Sequence, residues 1–95
     1  MRLKPEIVTV IREEVLRADS AAEVWLFGSR VDDRARGGDI DLLVVSDRLA
    51  FPEQLRLRMA ILDRIGWQQL DLLVRGRRQL AEPMAAHAID SGVKL

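Results

Sequence analysis

The chain has no cysteine, one histidine, and only two tryptophans and two phenylalanines in 95 residues. Without cysteine there is neither a disulfide frame nor a thiolate metal site, which fits a reducing, cytoplasmic setting. His87 has no cysteine, second histidine or nearby serine with which to build a metal or nucleophile constellation, so it is expected to be ordinary helix packing or surface. Charge of one sign is also missing. Fifteen basic and fifteen acidic residues cancel, so no global field draws the chain to nucleic acid or an anionic membrane, and any such contact has to be local. No apolar run approaches the roughly 18 residues of a membrane span, and the N-terminal residues lack an apolar signal core. The expectation is a chain neither secreted by a signal peptide nor membrane-spanning. What remains, 48% hydrophobic and 32% charged, is the composition of one globular domain over residues 1–95 with a modest core.

One stretch stands out from this background. Val24 to Phe27 reads as a buried strand closed by Gly28-Ser29, and Asp39-Ile40-Asp41 opens a second apolar run, Leu42 to Val45. Side chains two apart on a strand share a face, so Asp39 and Asp41 point the same way, about 6–7 Å apart at Cα, while Ile40 and Leu42 point into a core. Like charges held together repel, and a divalent cation removes the repulsion. Magnesium takes such hard oxygen ligands, commonly one or two carboxylates plus substrate phosphates. The glycine supplies a tight turn whose backbone N–H groups can cradle a phosphate, and Ser29 adds a hydroxyl donor. A phosphate cradle beside a carboxylate pair points to metal-assisted chemistry on a nucleoside triphosphate.

In chain order, Lys4 to about Ala18 reads as a helix opened by Pro5. Ile7, Val8, Ile11, Val15 and Leu16 form its apolar side, with Arg12, Glu13, Glu14 and Arg17 toward water. Glu23 to Phe27 is the first strand, with a short helical turn after Gly28-Ser29. Val31 to Gly38 is a polar loop carrying Asp32, Asp33, Arg34 and Arg36. Arg34 and Arg36 are expected to be solvated, whereas Arg30, next to the cradle, is a candidate phosphate ligand because guanidinium geometry suits phosphate. Asp39 to Ser46 is the second strand, and Pro52 opens a helix to about Ile65. The apolar arc of that helix, roughly 200° wide, exceeds what a surface helix needs. The surplus edge, Leu57 and Ile61, is either a partner surface or a seat for another helix of the same domain.

Gly66 ends this helix, and Gln69 to Val74 is a third strand with Asp71 inside it. An acid in an apolar strand is costly unless paired or bound to metal. Asp71 is therefore either an arginine's partner or a third carboxylate facing Asp39 and Asp41. Arg75 to Arg78 reads as a solvated basic turn. Glu82-Pro83 opens a last helix to about Ser91, capped by Gly92. Trp25 and Trp67 are expected in the core, with base stacking as the alternative.

Gly28-Ser29 followed by Asp39-Ile40-Asp41-Leu42-Leu43-Val44 resembles the signature of the DNA polymerase β-like nucleotidyltransferase superfamily. The form FGSRVDDRARGGDIDLLV is most similar to its minimal nucleotidyltransferases, the MNT members of prokaryotic HEPN/MNT pairs. The resemblance implies an α/β fold with a small mixed sheet of three to four strands, helices mainly on one face, and an acidic cleft at the edge of the other. It implies that Gly28, Ser29 and Arg30 hold the nucleotide phosphates. It also implies that Asp39, Asp41 and Asp71 bind two magnesium ions, with Asp71 helping to activate the attacking hydroxyl. The reaction implied is AMP transfer from ATP to a hydroxyl, in HEPN/MNT pairs a tyrosine of the helical HEPN toxin. Two rivals are a small-molecule nucleotidyltransferase working with a separate substrate-binding helical protein, and an idle antitoxin acting by binding alone. Ninety-five residues leave no room to grip a template, so a processive polymerase is not expected, and a second protein is expected to supply either the substrate or its binding surface, with a homo-oligomer as a separate option.

Overall fold

The computed structural model describes residues 3–31 and 38–95. Helix α1 (Pro5–Ala18) leads to strand β1 (Glu23–Phe27), a 3-10 turn (Gly28–Val31) and strand β2 (Ile40–Val45). Helix α2 (Phe51–Ile65), strand β3 (Leu70–Arg75), a second 3-10 turn (Arg77–Gln79), helix α3 (Pro83–Ser91) and strand β4 (Val93–Lys94) complete the chain. Each α-helix carries proline in its first turn, where the missing N–H has no intrahelical partner to lose. The four strands form one mixed sheet in the order β3-β2-β1-β4. β2 runs antiparallel to β1 and parallel to β3. The two-residue β4 is an element the sequence reading did not anticipate.

Alternation along the strands divides the core in two. Val24, Leu26, Ile40, Leu42, Val44, Leu70 and Val74 pack with Ile11 and Val15 of α1 and Leu57, Ile61 and Leu62 of α2. Phe27, Leu43 and Val45 pack on the opposite face against Ala85 and Ala88 of α3. Helices α1 and α2 thus cover one face, and the short α3 covers part of the other. Gly92 lets the end of α3 approach the sheet, since a Cβ there would run into the carbonyls of Ala88 and Leu26.

Of the two readings of the surplus edge of α2, the seat for another helix of the same domain holds: Leu57 and Ile61 are core residues, 3% and 0% exposed, because α1 lies against that side of α2. Other expectations about individual side chains are corrected. The exposed apolar residues of α2 are instead Phe51, Leu55 and Met59. Glu14 does not face water: it is 4% exposed and receives Arg17 and Arg64, each at 2.9 Å. The crossing α2 brings Arg64 over Glu14, replacing the lost water with a charged partner. Leu16 is exposed, as is Trp67 at 77%, because Trp67 sits between the Gly66 helix stop and β3, outside both packed layers. Trp25 packs partly buried against the α3 side, and its Nε1 finds no hydrogen-bond partner among the described residues.

The basic turn is also more than solvated charge. Arg77 bonds Asp47 through its backbone N–H and its guanidinium, and Arg75 reaches Glu82. Glu82 in turn accepts the Ala85 N–H at the start of α3. A second buried polar knot holds the far ends of β1 and β2 together. Ser46 donates its hydroxyl to Asp19 at 2.6 Å and accepts the N–H groups of Arg48 and Leu49.

Candidate active site

β1 ends and β2 and β3 begin at the same end of the sheet, and that end gathers the acids. Register does the work. Phe27 stands opposite Asp41 on the antiparallel side, and Asp71 stands beside Asp41 on the parallel side. All three project from the face that α3 covers only lower down, where Leu43 and Val45 are buried. The acids therefore occupy the uncovered upper row of a face that is apolar below. The pairing is held at its mouth by the Ile40 N–H, which donates to the Gln69 carbonyl at 3.0 Å.

Gly28 closes against this pair. Its φ of +76° is a left-handed conformation that glycine adopts without penalty. A Cβ there would collide with the Asp41 carboxylate. The bend before Ser29 thus lies directly on the acid of the next strand, and the 3-10 turn carries Ser29 and Arg30 outward from it. Arg30 donates its Nε to the Gly38 carbonyl at 3.2 Å, tying the turn to the residue before Asp39.

Crowding shows in the acid's titration. Asp41 is pushed up from 3.8 to about 6, first by burial, then by its hydrogen bond with Asp71 and the charges of Asp71 and Asp39. Asp71 is exposed and also accepts the Gln69 side-chain amide at 3.4 Å. Asp39 is exposed and precedes the strand proper, which begins at Ile40. Its charge reaches Asp41, but no group of three acid or histidine side chains within ligating distance is present among the described residues. The structure thus brings Asp41 and Asp71 together with Gly28, and leaves Asp39 at the rim. Arg34 and Arg36, and the rest of the loop from Asp32 to Gly37, lie outside the described residues.

Side chains that sequence reasoning did not single out also border this end. Gln69 shares the face of Asp71, a position that two-residue spacing could have revealed. Leu3, Lys4 and Gln68 join Ile7 and the candidate phosphate ligand Arg30 in lining a cavity of about 550 Å³. They come from three distant stretches, so no local pattern announces them. His87 is exposed on α3. No described helix is long and apolar enough to cross a membrane.

The nucleotidyltransferase domain family matches residues 8–85, a span that includes Gly28, Ser29, Asp39, Asp41 and Asp71. The chain belongs to this family. The fold agrees: a solved structure described as "putative nucleotidyltransferase" superposes with a TM-score of 0.63 at 21% identity, covering 93% of this chain and 96% of the other. No curated protein matches the chain. As a nucleotidyltransferase domain, the chain carries its paired acids and its glycine bend at one edge of a four-stranded mixed sheet.

Proposed function

We propose that this nucleotidyltransferase domain transfers AMP from ATP to a hydroxyl of a partner protein, a tyrosine of a HEPN-type helical toxin, and so acts as an antitoxin. The observation that carries the reading is the register that seats Asp41 beside Asp71 with Gly28 pressed against them. Two carboxylates set side by side, with Asp41 raised by the crowding, fit a hard cation, and the donor set is all oxygen. Asp41 and Asp71, with Asp39 from the rim, are the residues that would hold magnesium. When bound, magnesium supplies charge neutralisation at the reacting phosphate.

The chain's own residues do the rest. The Gly28-Ser29 bend offers backbone N–H groups and a hydroxyl to the β- and γ-phosphates, with Arg30 beside it. That fixes the α-phosphorus over the acid pair. The acceptor oxygen attacks the α-phosphorus, the bond to the bridging oxygen breaks, and pyrophosphate leaves. Asp71, the more exposed acid, takes the proton of the attacking hydroxyl. Positioning and electrostatics account for most of the acceleration in such displacements.

The test mixes the chain, magnesium and ATP labelled at the α-phosphate with the product of the neighbouring gene. Label on that product, lost with Asp41→Asn, supports transfer. Neutralisation of the neighbour that survives Asp41→Asn leaves binding alone as the function. Label on a small molecule and not on the protein moves the acceptor to the other class.

A further inference from the structure

The stripe Phe51, Leu55 and Met59 has no part in the site. These residues are 69%, 49% and 51% exposed and recur every four positions, so they form one ridge along α2. At 100° per residue, Leu55 lies about 180° around the helix from Arg64. Arg64 is the residue that grips Glu13 and Glu14 of α1, so the ridge points directly away from the domain's other long helix. Pro52 and Arg56 flank it, both exposed. The three side chains expose on the order of 300 Å² of apolar surface, comparable to the large patches on soluble domains that mark contacts. That is about two-fifths of the roughly 800 Å² each partner gives to a standard interface, with the flanking residues left to supply the rest.

The neighbouring sheet edge is partly capped by side chains. The Gln69 and Arg75 carbonyls bond β2, so the backbone groups of the alternate residues Leu70, Leu72 and Val74 point away from β2. Arg58 donates to the Leu70 carbonyl at 3.2 Å and Arg75 to the Val74 carbonyl at 2.8 Å. Side chains thus occupy backbone acceptors that an added strand would need.

We propose that the α2 ridge is the twofold interface of a homodimer. A four-residue ridge packs into the groove beside the same ridge of a second helix at a crossing near −50°. With the axis at Leu55, the two copies of Leu55 meet, and Phe51 of each copy meets Met59 of the other. One surface is thereby its own complement, a large rigid ring set against a flexible thioether. The formal net charge of zero leaves no long-range repulsion between copies.

Light scattering after size exclusion, from 10 to 200 μM, tests this. The expected result is a mass of twice 10.8 kDa, falling to the single-chain value in the Leu55→Glu/Met59→Glu double variant with its circular-dichroism melting curve retained. The chain has no cysteine, so Leu55→Cys gives a clean second readout. Facing Cα atoms of helices 8–10 Å apart come within about 3.5–5.5 Å, close enough to oxidise to a disulfide across the axis. The same exchange at Leu16, exposed on α1, is expected to leave monomers. A wild-type chain of single mass at every concentration overturns the proposal, as does a dimer that the double variant does not split. A single-mass chain that associates through Leu55 only with a different protein assigns the ridge to that protein and also overturns it. None of these outcomes depends on nucleotidyl transfer.

Discussion

Replacing Asp41 by asparagine is expected to stabilise the metal-free protein while abolishing its activity. The carboxyl is raised from 3.8 to about 6, with burial the largest cause and Asp71 and Asp39 adding repulsion. An acid with a raised folded pKa contributes stability below its unfolded pKa and loses it as pH climbs through the folded value. The window is therefore about pH 4 to 6, and above it the wild type carries an ionised Asp41 held against Asp71. Unscreened, that shift corresponds to ~3 kcal/mol. The carboxylate is only part-buried, so solvent screening reduces the cost to about 1 kcal/mol.

Asparagine keeps the shape and removes the charge. At pH 8, in the presence of chelator, Asp41→Asn is expected to melt about 4–8 °C above the wild type, as ~1 kcal/mol shifts a domain of this size. At pH 5, midway through that window, the difference is expected to fall to about half, and it approaches zero only below about pH 4, where the unfolded carboxyl is protonated as well. Millimolar magnesium is expected to raise the melting temperature of the wild type and leave the variant unmoved. Melting followed by circular dichroism at both pH values, with and without magnesium, decides the matter. A variant less stable than the wild type at pH 8, or an advantage as large at pH 5, would refute the reading of Asp41 as a crowded charge awaiting a cation.

Further outcomes follow from the same geometry. Gly28→Ala is expected to lose at least 100-fold in transfer rate and about 2 kcal/mol in urea stability, because the methyl enters the Asp41 carboxylate at a left-handed φ. Ser46→Ala is expected to cost about 1–3 kcal/mol by urea unfolding, since it strips the Asp19 carboxylate and two backbone N–H groups of a buried partner. Asp19 is held below 3.8, mainly by the Ser46 hydroxyl. Its contribution is present above that value and is lost as pH falls below it, opposite in sign to Asp41 and visible as acid lability that Asp19→Asn removes. Trp67→Ala is expected to change unfolding stability by less than about 0.5 kcal/mol, because the ring is 77% exposed and packs into neither cluster.

Much of the architecture was written in local pattern. Helical spacing and the prolines at Pro5, Pro52 and Pro83 placed the helices to within a residue. The unbroken run Leu42–Val45 announced a strand covered on both faces. Gly28 and Asp41 could be named because each carries its reason locally, a bend after one strand and an acid opening another. Asp71 could be named as out of place, yet its neighbour could not. Pairing Asp41 with Asp71 depends on a parallel register, and one residue of slip would have turned Asp71 to the other face.

Local order by itself determined that this chain makes strands and helices of these lengths, with a glycine bend and two acids at strand openings, because periodicity and turn chemistry act over a few residues. Only tertiary structure decided which groups meet. It put Glu14 under Arg64 and Asp19 under Ser46, buried Leu57 and Ile61, and left Phe51, Leu55 and Met59 outside. Such meetings depend on how layers cross, and a helix with apolar residues around more than half its circumference does not say which side its neighbour will take.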